Sequence, residues 1–132
     1  MGSFGLSKTN IVSIIDDDAS VRAGMEALVN SIGFKACVFD SAEKFLRSSR
    51  IEDTSCLVTD VQMPGMNGLD LQGQLVAQGR RIPIIFITAF PEQKGRERAL
   101  AAGAFAYLEK PFAGETMTGL LRKAMDAPSA CG

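Results

Sequence analysis

The chain has 132 residues, 46% of them apolar, with 14 basic and 15 acidic side chains for a net charge of -1. That length fits one domain with a real core, and the apolar share is that of a globular chain rather than a disordered one. Near-neutral charge gives no general pull toward nucleic acid or anionic lipid, and no apolar run approaches the roughly 20 residues of a membrane span; a cytoplasmic chain binding neither is expected.

Residues 1–9 (MGSFGLSKT) are small and polar without periodicity, which reads as a flexible start. Ile11 to Ile15 is a short apolar run, a strand, that stops at Asp16-Asp17-Asp18. Val21, Met25, Leu28 and Ile32 then recur at i, i+4, i+7 and i+11, one stripe of a helix that Asp18 or Ser20 caps and Gly33 follows. Phe34–Phe39 reads as a second strand, and Ser41 caps a short helix carrying Phe45 and Leu46. Ser55–Thr59 is a third strand, followed by a helix over Asn67–Ala77 that ends near Gly79. Ile82–Ile87 is the most apolar strand, and a helix from about Pro91 to Ala102 leads to Gly103. Phe105–Leu108 is the last strand, and Met117, Leu120, Leu121, Ala124 and Met125 make the last helical stripe. Residues 127–132 read as a tail or the start of a linker, leaving 10–126 as the domain.

Five strand–helix units joined by short loops imply an α/β fold, a parallel sheet with helices on both faces. The first, third and fourth strands are near-continuous apolar runs, as interior parallel strands are, whereas the second contains Lys35 and the fifth is short. Strands 2 and 5 at the edges give the order 2-1-3-4-5 of flavodoxin-like sheets. A dinucleotide-binding version is disfavoured, because the turn after the first strand is DDDAS and not GxGxxG. Three cysteines (Cys37, Cys56, Cys131) have no CxxC spacing, and Cys56 in an apolar run reads as a buried thiol. Histidine is absent, which removes Ser-His-Asp and Cys-His catalysis and any phosphohistidine carried by this chain.

Ligands of open parallel sheets bind beyond the carboxyl ends of the strands. Strand one ends at Asp16 and Asp17, strand three at Asp60, strand four at Thr88, and strand five leads into Lys110. Three carboxylates thus share one crevice, with a hydroxyl and an ammonium to one side. Carboxylates so close repel one another unless a cation neutralises them, and an all-oxygen site suits Mg²⁺. Lys110 and Thr88 can reach the oxygens of a phosphoryl group held there. The set suits movement of a phosphoryl group onto a carboxylate. Asp18 and Asp40 read as helix caps outside it.

The segments IVSIIDDD, CLVTDVQMPGMNGLDL, IIFITAF and AYLEKPF resemble the four signature segments of response-regulator receivers, most like the nitrogen-fixation FixJ type. The resemblance spans about residues 10–126. It implies that Asp60 accepts a phosphoryl group from a sensor histidine kinase or phosphotransfer protein. It implies that Asp16, Asp17, Asp60 and the backbone carbonyl of Gln62 hold Mg²⁺, that Thr88 and Lys110 contact the phosphoryl group, and that Lys110–Pro111 is cis. Tyr107 matches the family's mobile aromatic, which turns into space left when Thr88 moves. The expected output is a changed surface of the fourth helix, fifth strand and fifth helix, open to a homodimer or to another partner.

Composition supports a switch there: Glu92-Gln-Lys-Gly-Arg-Glu-Arg98 has almost no apolar stripe, and Gly95 inside a helix costs about 1 kcal/mol relative to Ala. Phe90 and Gln62 depart from the common pattern, and both flank the path of an attacking water. A phosphatase forming an aspartyl-phosphate would want a second acid where Gln62 stands. A degenerate receiver would lack some of the five site residues, and all five are present. The expected activity is therefore a signalling switch, with self-catalysed phosphorylation and slow hydrolysis only.

Overall fold

A computed structural model describes residues 10–126; the expected flexible start (1–9) and the tail (127–132), with Cys131, lie outside the described residues. Strands β1 (Ile11–Ile15), β2 (Lys35–Phe39), β3 (Thr54–Asp60), β4 (Ile84–Thr88) and β5 (Ala106–Glu109) alternate with five helices. These are α1 (Ala19–Ser31), α2 (Ala42–Arg47), α3 (Gly68–Ala77), α4 (Gln93–Ala101) and α5 (Gly114–Asp126), with a 3-10 turn at Ser49–Glu52 that the sequence did not announce. All strand pairs are parallel, and the order is the expected 2-1-3-4-5.

Successive strand side chains point to opposite faces, and the interior strands are apolar on both. Val12, Ile14, Cys56, Val58, Ile85 and Ile87 pack with Met25 and Val29 of α1 and Met117 and Leu121 of α5. Ile15, Leu57, Ile84 and Phe86 pack on the other face with Phe45 of α2, Leu71 and Leu75 of α3, and Ala99 of α4. Both faces are covered, which is why the middles of β1, β3 and β4 are largely apolar, with polar residues mostly at the strand ends. Burial pushes the Cys56 thiol up to about 12 and leaves it inert, as its apolar neighbours suggested.

Strand limits move by one or two residues for local reasons. β4 starts at Ile84 because Pro83 has no N–H for the ladder; its carbonyl still accepts from Leu57 N–H at 2.9 Å. Phe34 closes α1 instead of opening β2, its N–H donating to the Val29 carbonyl at 3.2 Å. α4 starts at Gln93, two residues later than Pro91, and Glu92 before it makes no side-chain cap.

The helix signals divide similarly. Asp18 does cap α1, its Oδ1 accepting from Ser20 N–H at 2.8 Å. Asp40 does not cap α2: Ser41 takes that place, accepting from Lys44 N–H, and exposed Asp40 pairs with the Lys44 ammonium at 3.1 Å. A serine hydroxyl one residue nearer the helix reaches the free N–H better. α4 is as weakly anchored as its sequence implies. Ala99 is its buried residue, and Leu100 is 43% exposed.

Candidate functional site

The carboxyl ends of β1 and β3, neighbours in the sheet, deliver Asp16, Asp17 and Asp60 to one place. One oxygen from each lies within 4.8 Å of the other two. Asp16 is fully buried, Asp60 nearly so, and Asp17 is exposed at the mouth. Lys110 reaches in from the end of β5, its Nζ 2.9 Å from Asp16 Oδ2 and 3.0 Å from Asp60 Oδ2. The backbone draws that lysine across, because Lys110 N–H donates to the Thr88 carbonyl at 2.7 Å. The Lys110–Pro111 bond is cis, as expected.

The free carboxylate oxygens are oriented by local amides. Asp16 Oδ1 accepts from Asp18 N–H at 2.9 Å, and Asp60 Oδ1 from Gln62 N–H at 3.1 Å. Burial chiefly pushes the Asp60 carboxyl above its usual range; the Lys110 hydrogen bond opposes this, and the charge of Asp16 reinforces it. For Lys110, burial works against the charged form, yet the hydrogen bonds and charges of Asp16 and Asp60 outweigh it, so its ammonium is held above the usual range. One ammonium facing three carboxylates leaves negative charge in excess. That all-oxygen, net-negative donor set fits a hard divalent cation such as Mg²⁺.

Thr88, fully buried at the end of β4, is fixed by a ring of hydrogen bonds. Its hydroxyl donates to Gln62 Oε1 and accepts from Phe90 N–H at 3.0 Å, and Gln62 Nε2 donates to the Phe90 carbonyl at 3.4 Å. Phe90 itself is 70% exposed beside the site. Tyr107 is 7% exposed and lies inward, its ring 6.1 Å from that of Phe86. Burial raises the Tyr107 phenol above its ordinary value.

Four contributors escaped the sequence reading. A Cβ on Gly68 would lie 2.4 Å from the Asp60 carbonyl oxygen, so only glycine lets α3 start against the end of β3. Its place in MPGMNG was the available signal. A Cβ on Gly95 would lie 3.2 Å from the Tyr107 hydroxyl, so the residue noted as a helix weakness also seats the aromatic. Arg22 Nη1 donates to the Asp16 carbonyl at 2.7 Å, and Glu43 Oε2 accepts from Met66 N–H at 3.0 Å, tying α2 to the loop after Asp60. Both contacts join residues that no local pattern connects.

Residues 12–122 match the model of the response regulator receiver domain. The chain is 39% identical over 118 residues to the response regulator protein TodT of Pseudomonas putida, covering 89% of this chain and 52% of TodT. It thus spans about half the length of the curated relatives it matches. Response regulator StyR superposes with a TM-score of 0.81 at 43% identity, over 87% of this chain and 58% of that one. The crystal structure of FixJ-N gives a TM-score of 0.80 at 32% identity, over 91% and 96%. With this fold and these matches, the chain belongs to the response-regulator receiver family of two-component signalling, and FixJ is among its relatives.

Proposed function

We propose that this receiver, residues 10–126, takes a phosphoryl group onto Asp60 with Mg²⁺ and changes its α4–β5–α5 surface in response. The donor is the phosphohistidine of a sensor histidine kinase or phosphotransfer protein, and the setting is the cytoplasm. The observation that carries the reading is the Asp60 carboxylate, 3.0 Å from Lys110 Nζ and grouped with Asp16 and Asp17 at the carboxyl end of a central strand.

A carboxylate oxygen of Asp60 attacks phosphorus as the P–N bond to the donor imidazole breaks. The imidazole leaves with that electron pair and takes up a proton. Lys110 offers its point charge to the phosphoryl oxygens, and Thr88 offers its hydroxyl hydrogen. Asp16, Asp17, Asp60 and the Gln62 backbone carbonyl would hold Mg²⁺, which would supply charge neutralisation on the transferring group. Slow attack by water returns the carboxylate and releases phosphate, so no external substrate is turned over.

Any donor must touch the rim of this site. A groove of about 660 Å³ beside Lys110, walled by Val21, Met25, Leu28 and Phe112, offers an apolar seat for the donor. On the output side, pulling Thr88 toward the phosphoryl group moves the loop into α4, which has little packing to resist. The changed surface then dimerises or docks a partner; nucleic acid and membrane are not addressed by this chain directly. Among the described residues, no helix is long and apolar enough to cross a membrane. Incubation with Mg²⁺ and acetyl phosphate is expected to add one phosphoryl mass to the wild type, labile to hydroxylamine, and none to Asp60→Asn. Equal labelling of Asp60→Asn would remove Asp60 from the role.

A further inference from the structure

A threonine hydroxyl has one hydrogen to give. In Thr88 that hydrogen is committed to Gln62 Oε1, within the ring that Phe90 N–H and Gln62 Nε2 complete. The ring also fixes which way the amide points. Reversed, its oxygen would face the Phe90 carbonyl oxygen, and the Thr88 hydrogen would have no acceptor in it. Thr88 is fully buried, so water does not replace a lost partner there. Two of the three bonds join the loop after β3, which carries Gln62, to the end of β4 and the loop after it, which carry Thr88 and Phe90.

We propose that the Gln62 side chain is a latch that holds Thr88 in the resting arrangement. An anion on Asp60 gains the Thr88 hydroxyl only by taking its hydrogen from the amide. The inference rests on the phosphoryl-acceptor reading above, and it concerns the carboxamide alone; the Gln62 backbone carbonyl has its separate role. A charged acceptor attracts a hydroxyl more strongly than a neutral amide does, so the exchange runs toward the anion. Each exchange nevertheless gives up a neutral hydrogen bond, which weakens anion binding by that bond's net worth. Release also leaves the Gln62 amide tied to this side by one bond alone, Nε2 to the Phe90 carbonyl, which loosens the loop leading into α4. Gln62 is thus a positioning residue acting through Thr88.

The test is a double-mutant cycle read by beryllofluoride binding, titrated calorimetrically at fixed Mg²⁺ on the full chain. Gln62→Met keeps the length of the side chain without its polar atoms, and Gln62 is exposed, so the core is undisturbed. Gln62→Met is expected to bind roughly fivefold more tightly than wild type, as loss of one competing hydrogen bond allows. Thr88→Val is expected to bind more weakly, and adding Gln62→Met to it should bring no gain, because no hydroxyl remains to release. Amide exchange gives an independent readout: without anion, Phe90 N–H should exchange faster in Gln62→Met than in wild type. Unchanged or weaker binding by Gln62→Met overturns the latch. An equal gain in the Thr88→Val background overturns it too, because Gln62 would then act by occupying space. Wild-type protein that binds no beryllofluoride contradicts the acceptor reading itself, and the latch with it.

Discussion

Replacing Asp60 with asparagine should stabilise the metal-free fold. At an effective dielectric constant near 20, the contact to Lys110 at 3.0 Å is worth about 5–6 kcal/mol, and repulsion from Asp16 at up to 4.8 Å costs about 3–4 kcal/mol. Exposed Asp17 adds a screened repulsion, so the pairwise charges nearly cancel and the desolvation of a nearly buried carboxylate decides the sign. That is the direction in which the Asp60 carboxyl is displaced, with burial the main cause. An amide keeps the shape, accepts from Gln62 N–H and leaves Lys110 its bond to Asp16. A gain on the order of 1 kcal/mol corresponds to a melting temperature about 3–4 °C higher in a domain of this size.

The pH dependence fixes the mechanism. A carboxyl whose folded pKa lies above its unfolded value favours folding below the unfolded value, and that contribution is lost as pH rises through the folded one. Asparagine resembles the protonated acid, so its advantage should be full at pH 7.5 and shrink as pH falls toward about 4, the ordinary range of aspartate. The assay is thermal unfolding in EDTA at stepped pH, followed by circular dichroism. A lower melting temperature for Asp60→Asn at pH 7.5, or a gain that does not shrink with acid, would refute the reasoning.

Three further outcomes are expected. A few millimolar Mg²⁺ should raise the melting temperature of the wild type, and Asp17→Asn should blunt that rise; an undiminished rise would remove Asp17 from the cation site. Gly68→Ala forces a methyl group against the Asp60 carbonyl and should cost about 2 kcal/mol in urea unfolding, with an unchanged midpoint as the contrary result. Amide exchange with and without beryllofluoride should change most between residues 89 and 108 while β1 and β3 stay protected. Changes confined to residues touching the anion would leave the α4–β5–α5 output without support.

Periodicity and turn chemistry carried most of the fold, because interior parallel strands are apolar on both faces and so stand out from the helices between them. Strand order followed from Lys35 and the short fifth strand, and the carboxyl-end rule then grouped Asp16, Asp17, Asp60 and Lys110, which the structure brings together. Thr88 lies at the same edge but is turned to Gln62. What was not legible depends on approach in three dimensions. Gly68 and Gly95 matter for the atoms that would meet a Cβ, and a chain pattern records no such distance. Asp40 looked like Asp18 in sequence, but Ser41 stood one residue closer to the helix. The inward Tyr107 needed the position of α4, and the ring through Gln62 needed partners 26 and 28 residues away in sequence.

The central claim is that Asp60 becomes an acyl phosphate. Borohydride reduces an aspartyl phosphate to homoserine and leaves free aspartate untouched, so reduction after treatment with Mg²⁺ and acetyl phosphate marks the acceptor permanently. Peptide mapping by mass spectrometry is expected to find homoserine at position 60 alone. Homoserine at Asp16 or Asp17, or at no position despite a bound phosphoryl mass, would contradict the account.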